Sequence, residues 1–346
     1  MAEVLQTNDF EDEDPYFLSQ VDSLGVLSST RQVVEQGEYV WINLEQIGLL
    51  AHQWLQQGKE SAVTPPSWYE QYHFFDGTER TVNWILALDA LNFCFWAPKD
   101  QPRWSIEYHG ETLNGYMAEA AALKRAVEEE NVPLWDATFL STMSEKMLAH
   151  IFRGEQTIPL FEQRLQNIRE VGRVLLAQFD GQFTHAIEQA GGSAVKLAVM
   201  LAQDFPSFND VAFYRKQKIR FYKRAQICVA DLYGAFGGKS WGAFTDLNQL
   251  TAFADYKVPQ VLRDLGVLEY HPALAERIDN QELLEAGSEE EIEIRAATVW
   301  ACELLQREML HLDHPITAAE IDLRLWLLGQ QSSEMQPYHR TRTIYY

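Results

Sequence analysis

Six of the twenty-eight lysines and arginines fall within ten positions, at Arg215, Lys216, Lys218, Arg220, Lys223 and Arg224. Such a concentration can hold a phosphate through charge-assisted hydrogen bonds. It can equally be a solvated basic strand and helix start that neutralises nearby acids. Further on, Gly237, Gly238, Lys239 and Ser240 imitate a phosphate loop. The complete motif is GxxxxGK[ST] after a buried strand. Gly234 stands one residue too close to be its first glycine, so a nucleotide-triphosphate loop is not expected.

Two acids occupy unusual places. Asp246 followed by Gln249 reads as a helix cap, residues 247–254 as a helix ending near Asp255, and Pro259 as the opening of a helix that stops at Gly266. Asp255 then lies at a helix–helix joint, where the C-terminal dipole disfavours a carboxylate by about 0.3–1 kcal/mol. It has either a functional reason to be there or a basic partner such as Lys257. Asp322, in an apolar-periodic run with Leu323, Leu325 and Trp326, needs donors if it faces the core. An arginine would supply them, and so would a planar base with adjacent N–H groups, such as a guanine-like edge. The histidines are weaker signals. His311 and His314 have helical metal-ligand spacing but no third ligand nearby, and they run into Pro315. His73, ahead of Phe74 and Phe75, can stack or hydrogen-bond in a pocket, or simply pack.

The elements that would position these groups are mostly helical. Phe161, Leu165, Ile168, Gly172, Leu175 and Phe179 recur at three- and four-residue intervals, one face of a helix. Ser288 with Glu291 and Thr317 with Glu320 read as capping boxes, which predicts helices over 289–312 and 318–329. Trp104, Ile106 and Tyr108 alternate up to a His109-Gly110 turn, and a second alternating run lies near 219–222. That suffices for one small hairpin and not for a large sheet. The first thirty residues hold seven acids and no base. The expected architecture is mainly α: one large helical domain over 37–346 with a minor β hairpin, preceded by an acidic, mobile segment over 1–36.

A chain of 346 residues, 47% hydrophobic and 23% charged, can bury a sizeable core. Its net charge of −22 repels a phosphate polymer or an anionic membrane over most of its surface. Cys94, Cys228 and Cys302 lie far apart in apolar contexts, so neither a disulfide framework nor a zinc site is expected. The N-terminus lacks a basic and then apolar leader, and the richest apolar run, 82–96, is interrupted by Asn83, Asp89 and Asn92. A soluble, unprocessed cytoplasmic protein is the expectation.

The runs VNWILALDALNFCFW (82–96), FYKRAQICVADLY (221–233), LTAFADYKVPQVLRDLGVLEY (250–270), EIEIRAATVW (291–300) and HRTRTIYY (339–346) resemble the queuosine salvage protein family, the queuosine 5′-phosphate N-glycosylases/hydrolases. The likeness spans about residue 40 to the C-terminus in unbroken order. It implies a helical fold related to the helix-hairpin-helix DNA glycosylases. It also implies an enzyme that cleaves the N-glycosidic bond of queuosine 5′-monophosphate, releasing queuine for re-use in tRNA modification. On the matched motifs it implies Asp255 as the catalytic carboxylate, Phe253 against the base, His73 in the pocket, and Asp322 with Trp326 as base readers. Lys223, Arg224, Lys239 and Lys257 become the candidates for the 5′-phosphate. The chain departs from the family pattern at Leu327 and Leu328, where family members can place further acids.

Queuine is a 7-deazapurine, so its departure cannot be helped by protonating N7. The burden falls on the ribose, whose oxocarbenium-like charge a carboxylate beneath the sugar would stabilise. This reading calls for no metal or cofactor, no nucleic-acid polymer and no membrane, and for a monomer acting on a small molecule. Two other readings share the residues. One is a base-excision glycosylase acting on a polymer, whose binding would weaken steeply with salt. The other is a non-catalytic protein that sequesters queuine or a nucleotide.

Overall fold

The computed structural model describes residues 14–18, 21–57, 71–331 and 334–346. Its helices begin with α1 (Val26–Gln36), α2 (Leu44–Gln57), α3 (Glu79–Leu91), α4 (Gly115–Glu130), α5 (Ala137–Ser141), α6 (Glu145–Ile151) and α7 (Phe161–Gln178). They continue with α8 (Phe183–Ala190), α9 (Ala194–Asp204), α10 (Lys223–Phe236), α11 (Lys257–Asp264), α12 (Pro272–Asp279), α13 (Glu289–His311) and α14 (Ala318–Gln331). The fold is mainly helical, with small antiparallel strand pairs.

The long helix α13 ties the molecule together. Ser288 caps it by accepting from the Glu291 amide, and Glu289, Glu290 and Glu291 set negative charge against its N-terminus. Every residue from Glu291 to Cys302 is buried, so this part of the helix is enclosed on all sides. Ile292, Ala296 and Val299 enter one core with α3, α4, α7 and α10. Ile294, Ala297, Ala301 and Leu305 enter a second core with α2, α11 and α14. The Thr317–Glu320 box ahead of α14 is reciprocal: the Thr317 amide donates to Glu320 Oε2 at 2.8 Å and the Glu320 amide to Thr317 Oγ1 at 3.2 Å. In the Ser288 box, Glu291 Oε2 accepts from the Gly287 amide instead.

On α7 the expected face is the inner one, with Ile168, Gly172 and Leu175 buried. Gly172 is needed there because α5 crosses at backbone distance: a Cβ would stand 2.2 Å from Ser141 N.

The strands exceed the single hairpin expected. The first hairpin pairs β2 (Ser105–Tyr108) with β3 (Glu111–Asn114) across the His109-Gly110 turn, as the alternation predicts. A second pairs β4 (Val211–Tyr214) with β5 (Gln217–Arg220). Its turn residues, Arg215 and Lys216, both have positive φ, 46° and 74°, without a glycine to announce them. The third pair joins β1 (Val40–Ile42) to β6 (Leu268–Tyr270), a contact too distant in sequence for periodicity to register.

Two further expectations change. Residues 26–36 fall within the segment expected to be mobile, yet they form α1, with Val26 and Val33 buried and Thr30 Oγ1 accepting from Trp300 Nε1 at 3.0 Å. Residues 1–13, which hold most of the acidic run, lie outside the described residues. The helix expected over 247–254 is only a single 3₁₀ turn at Leu247–Gln249 followed by chain without regular structure. Side chains intercept the amides that a helix would use: Thr251 N donates to Gln226 Oε1 and Phe253 N to Asp322 Oδ1, both at 2.8 Å. Asp246 caps no helix of its own. It accepts from Ser193 Oγ and the Ala194 amide, fixing the start of α9.

Candidate active site

The non-helical stretch 250–256 runs between the two cores, with Leu250 and Ala254 packed in the first and Ala252 in the second. It delivers Phe253 and Asp255 to a pocket that is also lined by α10, α14, the chain after α3 and the C-terminal tyrosines. The local electrostatics at Asp255 are the reverse of those expected. With no helix before it, Asp255 stands just ahead of α11, and its Oδ1 accepts from the amides of Lys257 and Val258, each at 2.8 Å. A helix start favours a carboxylate where a helix end would not. Burial still raises the Asp255 carboxyl above its ordinary value, while Lys223 and the two amides pull it back. The Lys257 ammonium, considered above as its partner, donates instead to Gln260 Oε1 at 3.0 Å and the Gly329 carbonyl at 3.1 Å.

The basic run divides into parts with different fates. Arg215 sits in the β4–β5 turn and pairs with Glu38 at 2.6 Å and Glu289 at 3.4 Å, which is the neutralising role. Arg224 is buried but spends its guanidinium on the carbonyls of Asp89, Ala90 and Ser207, outside the pocket lining. Lys223 lines the pocket, and burial lowers its pKa against the opposing pull of Asp255. Lys239 is exposed beyond the far end of α10 and does not line the pocket. The apparent phosphate loop is a helix C-terminus, where Gly237 and Gly238 take φ of 58° and 71° to close α10.

On α14, Asp322, Trp326 and Gln330 face the pocket at intervals of one turn. Asp322 is pushed well above the ordinary carboxylate range, by burial first and by the nearby Asp255 charge second. The two neighbouring carboxylates are placed differently: Asp255 has the helix-start amides and Lys223 to favour its charged form, whereas burial and the Asp255 charge push Asp322 further up. Asp322 Oδ1 also accepts the Phe253 amide, which fixes the loop to the helix. His73 is half-buried and stands behind the lining, its Nε2 2.8 Å from Tyr116 Oη. Tyr116 itself lines the pocket edge-on to Trp326, with ring centroids 6.1 Å apart. His311, exposed, ends α13 and His314, half-buried, follows it, both away from this lining.

Several lining residues escaped the sequence reading. Ile227 and Asp231 follow Lys223 at i+4 and i+8, a helical spacing that could have found them. Arg103, which donates to Tyr338 Oη at 3.2 Å, brings a further cation beside Lys257 and Tyr256. No periodicity links Arg103 to those residues, since they meet only through the fold.

A family model described as queuosine salvage protein matches residues 72–346. The chain belongs to the queuosine salvage protein family. A relative from Sphaerobacter thermophilus is 51% identical over 326 residues, spanning 94% of this chain and 98% of that protein. One from Nematostella vectensis is 36% identical over 308 residues, 83% of this chain and 88% of that protein. One from Mus musculus is 36% identical over 280 residues, 78% and 82% respectively. Each of these queuosine salvage relatives bears the name queuosine 5′-phosphate N-glycosylase/hydrolase.

Proposed function

We propose that the protein hydrolyses the N-glycosidic bond of queuosine 5′-monophosphate, adding water across it to release queuine and ribose 5-phosphate. The observation that carries this reading is Asp255: a carboxylate in a pocket, accepting from two helix-start amides with Lys223 favouring its charged form, beside Phe253 and Asp322, in a member of the queuosine salvage family.

The transition state puts positive charge on the ribose and negative charge on the departing base. Asp255 faces the sugar, stabilising that charge or attacking C1′. Phe253 stacks on the base, a contact worth about 1–3 kcal/mol in other base-binding proteins. Asp322 and Trp326 read the guanine-like edge, and His73 acts through Tyr116. For the 5′-phosphate, Lys223 and Lys257 remain the sequence candidates with access to the pocket, and Arg103 joins them; Arg224 and Lys239 lack that access.

The same reading takes the helical fold as kin to the helix-hairpin-helix DNA glycosylases. Its support is a mainly helical chain with an aspartate just ahead of a helix in an interhelical pocket. It also takes the protein as a single cytoplasmic chain acting on a small molecule; no helix among the described residues is long and apolar enough to cross a membrane. The test is to incubate purified protein with queuosine 5′-monophosphate and quantify both products. Equimolar queuine and ribose 5-phosphate are expected. Saturable binding of queuine with no turnover would replace this reading with a sequestering protein.

A further inference from the structure

Arg295 lies in the middle of α13, with its side chain 3% exposed, and does not line the pocket. Its guanidinium nevertheless reaches both segments that carry the central charged pair. Nε donates to the carbonyl of Ala254, the peptide that leads into Asp255, at 3.1 Å. The two terminal nitrogens grip Asp210, Nη1 to Oδ1 at 3.0 Å and Nη2 to Oδ2 at 2.6 Å. Asp210 passes that hold on to the start of α10. Its Oδ2 accepts the Lys223 amide at 3.1 Å, and its backbone carbonyl accepts the amides of Phe221 and Tyr222 at 3.0 and 3.2 Å. Tyr222 has φ 51°, a left-handed conformation that a bulky residue adopts at a cost and that its surroundings must enforce. The Phe221 and Tyr346 rings pack on the guanidinium, their centroids 3.9 and 4.5 Å from its central carbon.

We propose that Arg295, through Asp210, is a positioning residue that sets the separation of Lys223 and Asp255. Only a planar fork with donors in two directions can hold the Ala254 carbonyl and both Asp210 oxygens at once. A lysine keeps the charge opposite Asp210 but gives up that two-way grip. The kinetic part of this inference rests on the hydrolase reading; the structural part does not.

The test is Arg295→Lys, with Asp210→Asn as the second variant should the first fail to fold. Amide hydrogen exchange reads the structural part: exchange should quicken at 221–224 and at 253–258 together. With queuosine 5′-monophosphate, a loosened geometry should lower kcat about 10- to 100-fold with little change in KM. The acid limb of the pH profile should move to higher pH, because Lys223 no longer favours the charged form of Asp255. A folded variant with kcat within about twofold of wild type, or with faster exchange in only one of the two segments, overturns the proposal. If the wild-type protein releases no queuine, the hydrolase reading fails, and the exchange result alone decides whether Arg295 couples the segments.

Discussion

Asp255→Asn keeps an acceptor for the Lys257 and Val258 amides, so the fold should survive while kcat falls about 10²- to 10⁴-fold. Circular dichroism and turnover measured on the same sample check both halves. The sequence marks Asp255 as an odd acid because the spacing of 247–254 suggests a helix ending on it, whereas Gln226 and Asp322, distant in sequence, take the amides that such a helix would need. Because burial holds the Asp255 carboxyl above its ordinary 3.8, activity should decline on acidification at a pH higher than that value, as the charged form is lost. Asp322 adds a prediction of opposite character. Burial and the Asp255 charge hold it well above the ordinary carboxylate range in the free protein, and the guanine-like edge of queuine presents N–H donors that favour its ionised form. Binding of queuine should therefore release protons, visible as calorimetric heats that depend on the buffer's ionisation enthalpy. Buffer-independent heats would remove Asp322 from base reading.

The helices followed from local signals: α13 and α14 open at their capping residues, and α7 buries the face that its apolar spacing marks. What stayed hidden were contacts between distant segments, such as β1 with β6, and the turn at Arg215-Lys216, whose residues give no cue for positive φ. Gly172 illustrates the difference, since the spacing placed it on the inner face but only the crossing of α5 explains why it is glycine. Gly172→Ala should force α5 and α7 apart at a cost near the upper end of overpacking, about 3 kcal/mol, read from the urea midpoint. Glu119, buried on α4 opposite Arg164 of α7, should make stability depend on pH. Arg164 stands 3.4 Å away but gives other donors to the carbonyls of Leu91, Phe93 and Pro159, and burial raises Glu119 to about 8. The folded state then holds this proton more tightly than the unfolded chain. Its contribution to stability is full below the ordinary 4.5 and is lost as pH rises through about 8. Glu119→Gln, which mimics the neutral acid, should flatten that slope in the urea midpoint; an unchanged slope would place the charge on Glu119.

For the molecule as a whole, a net charge of −22 has to be reconciled with a phosphorylated substrate. Composition could show that cations are scarce, but not that the basic run splits between a surface turn, a buried anchor and the pocket. On the proposed reading, Lys223, Lys257 and Arg103, the cations among the described pocket-lining residues, meet one phosphate while the net charge disfavours a polymer. At about 0.15 M salt the protein should therefore leave tRNA and duplex DNA unretarded in a gel; retardation that vanishes steeply with added salt would favour a polymer substrate. The most direct measurement follows free queuine by mass spectrometry, with wild type and Asp255→Asn each offered queuosine 5′-monophosphate and unphosphorylated queuosine. The account predicts rapid release by the wild type from the monophosphate, little from the nucleoside, and almost none by the variant. No release from either compound, or equal release by the variant, would contradict it.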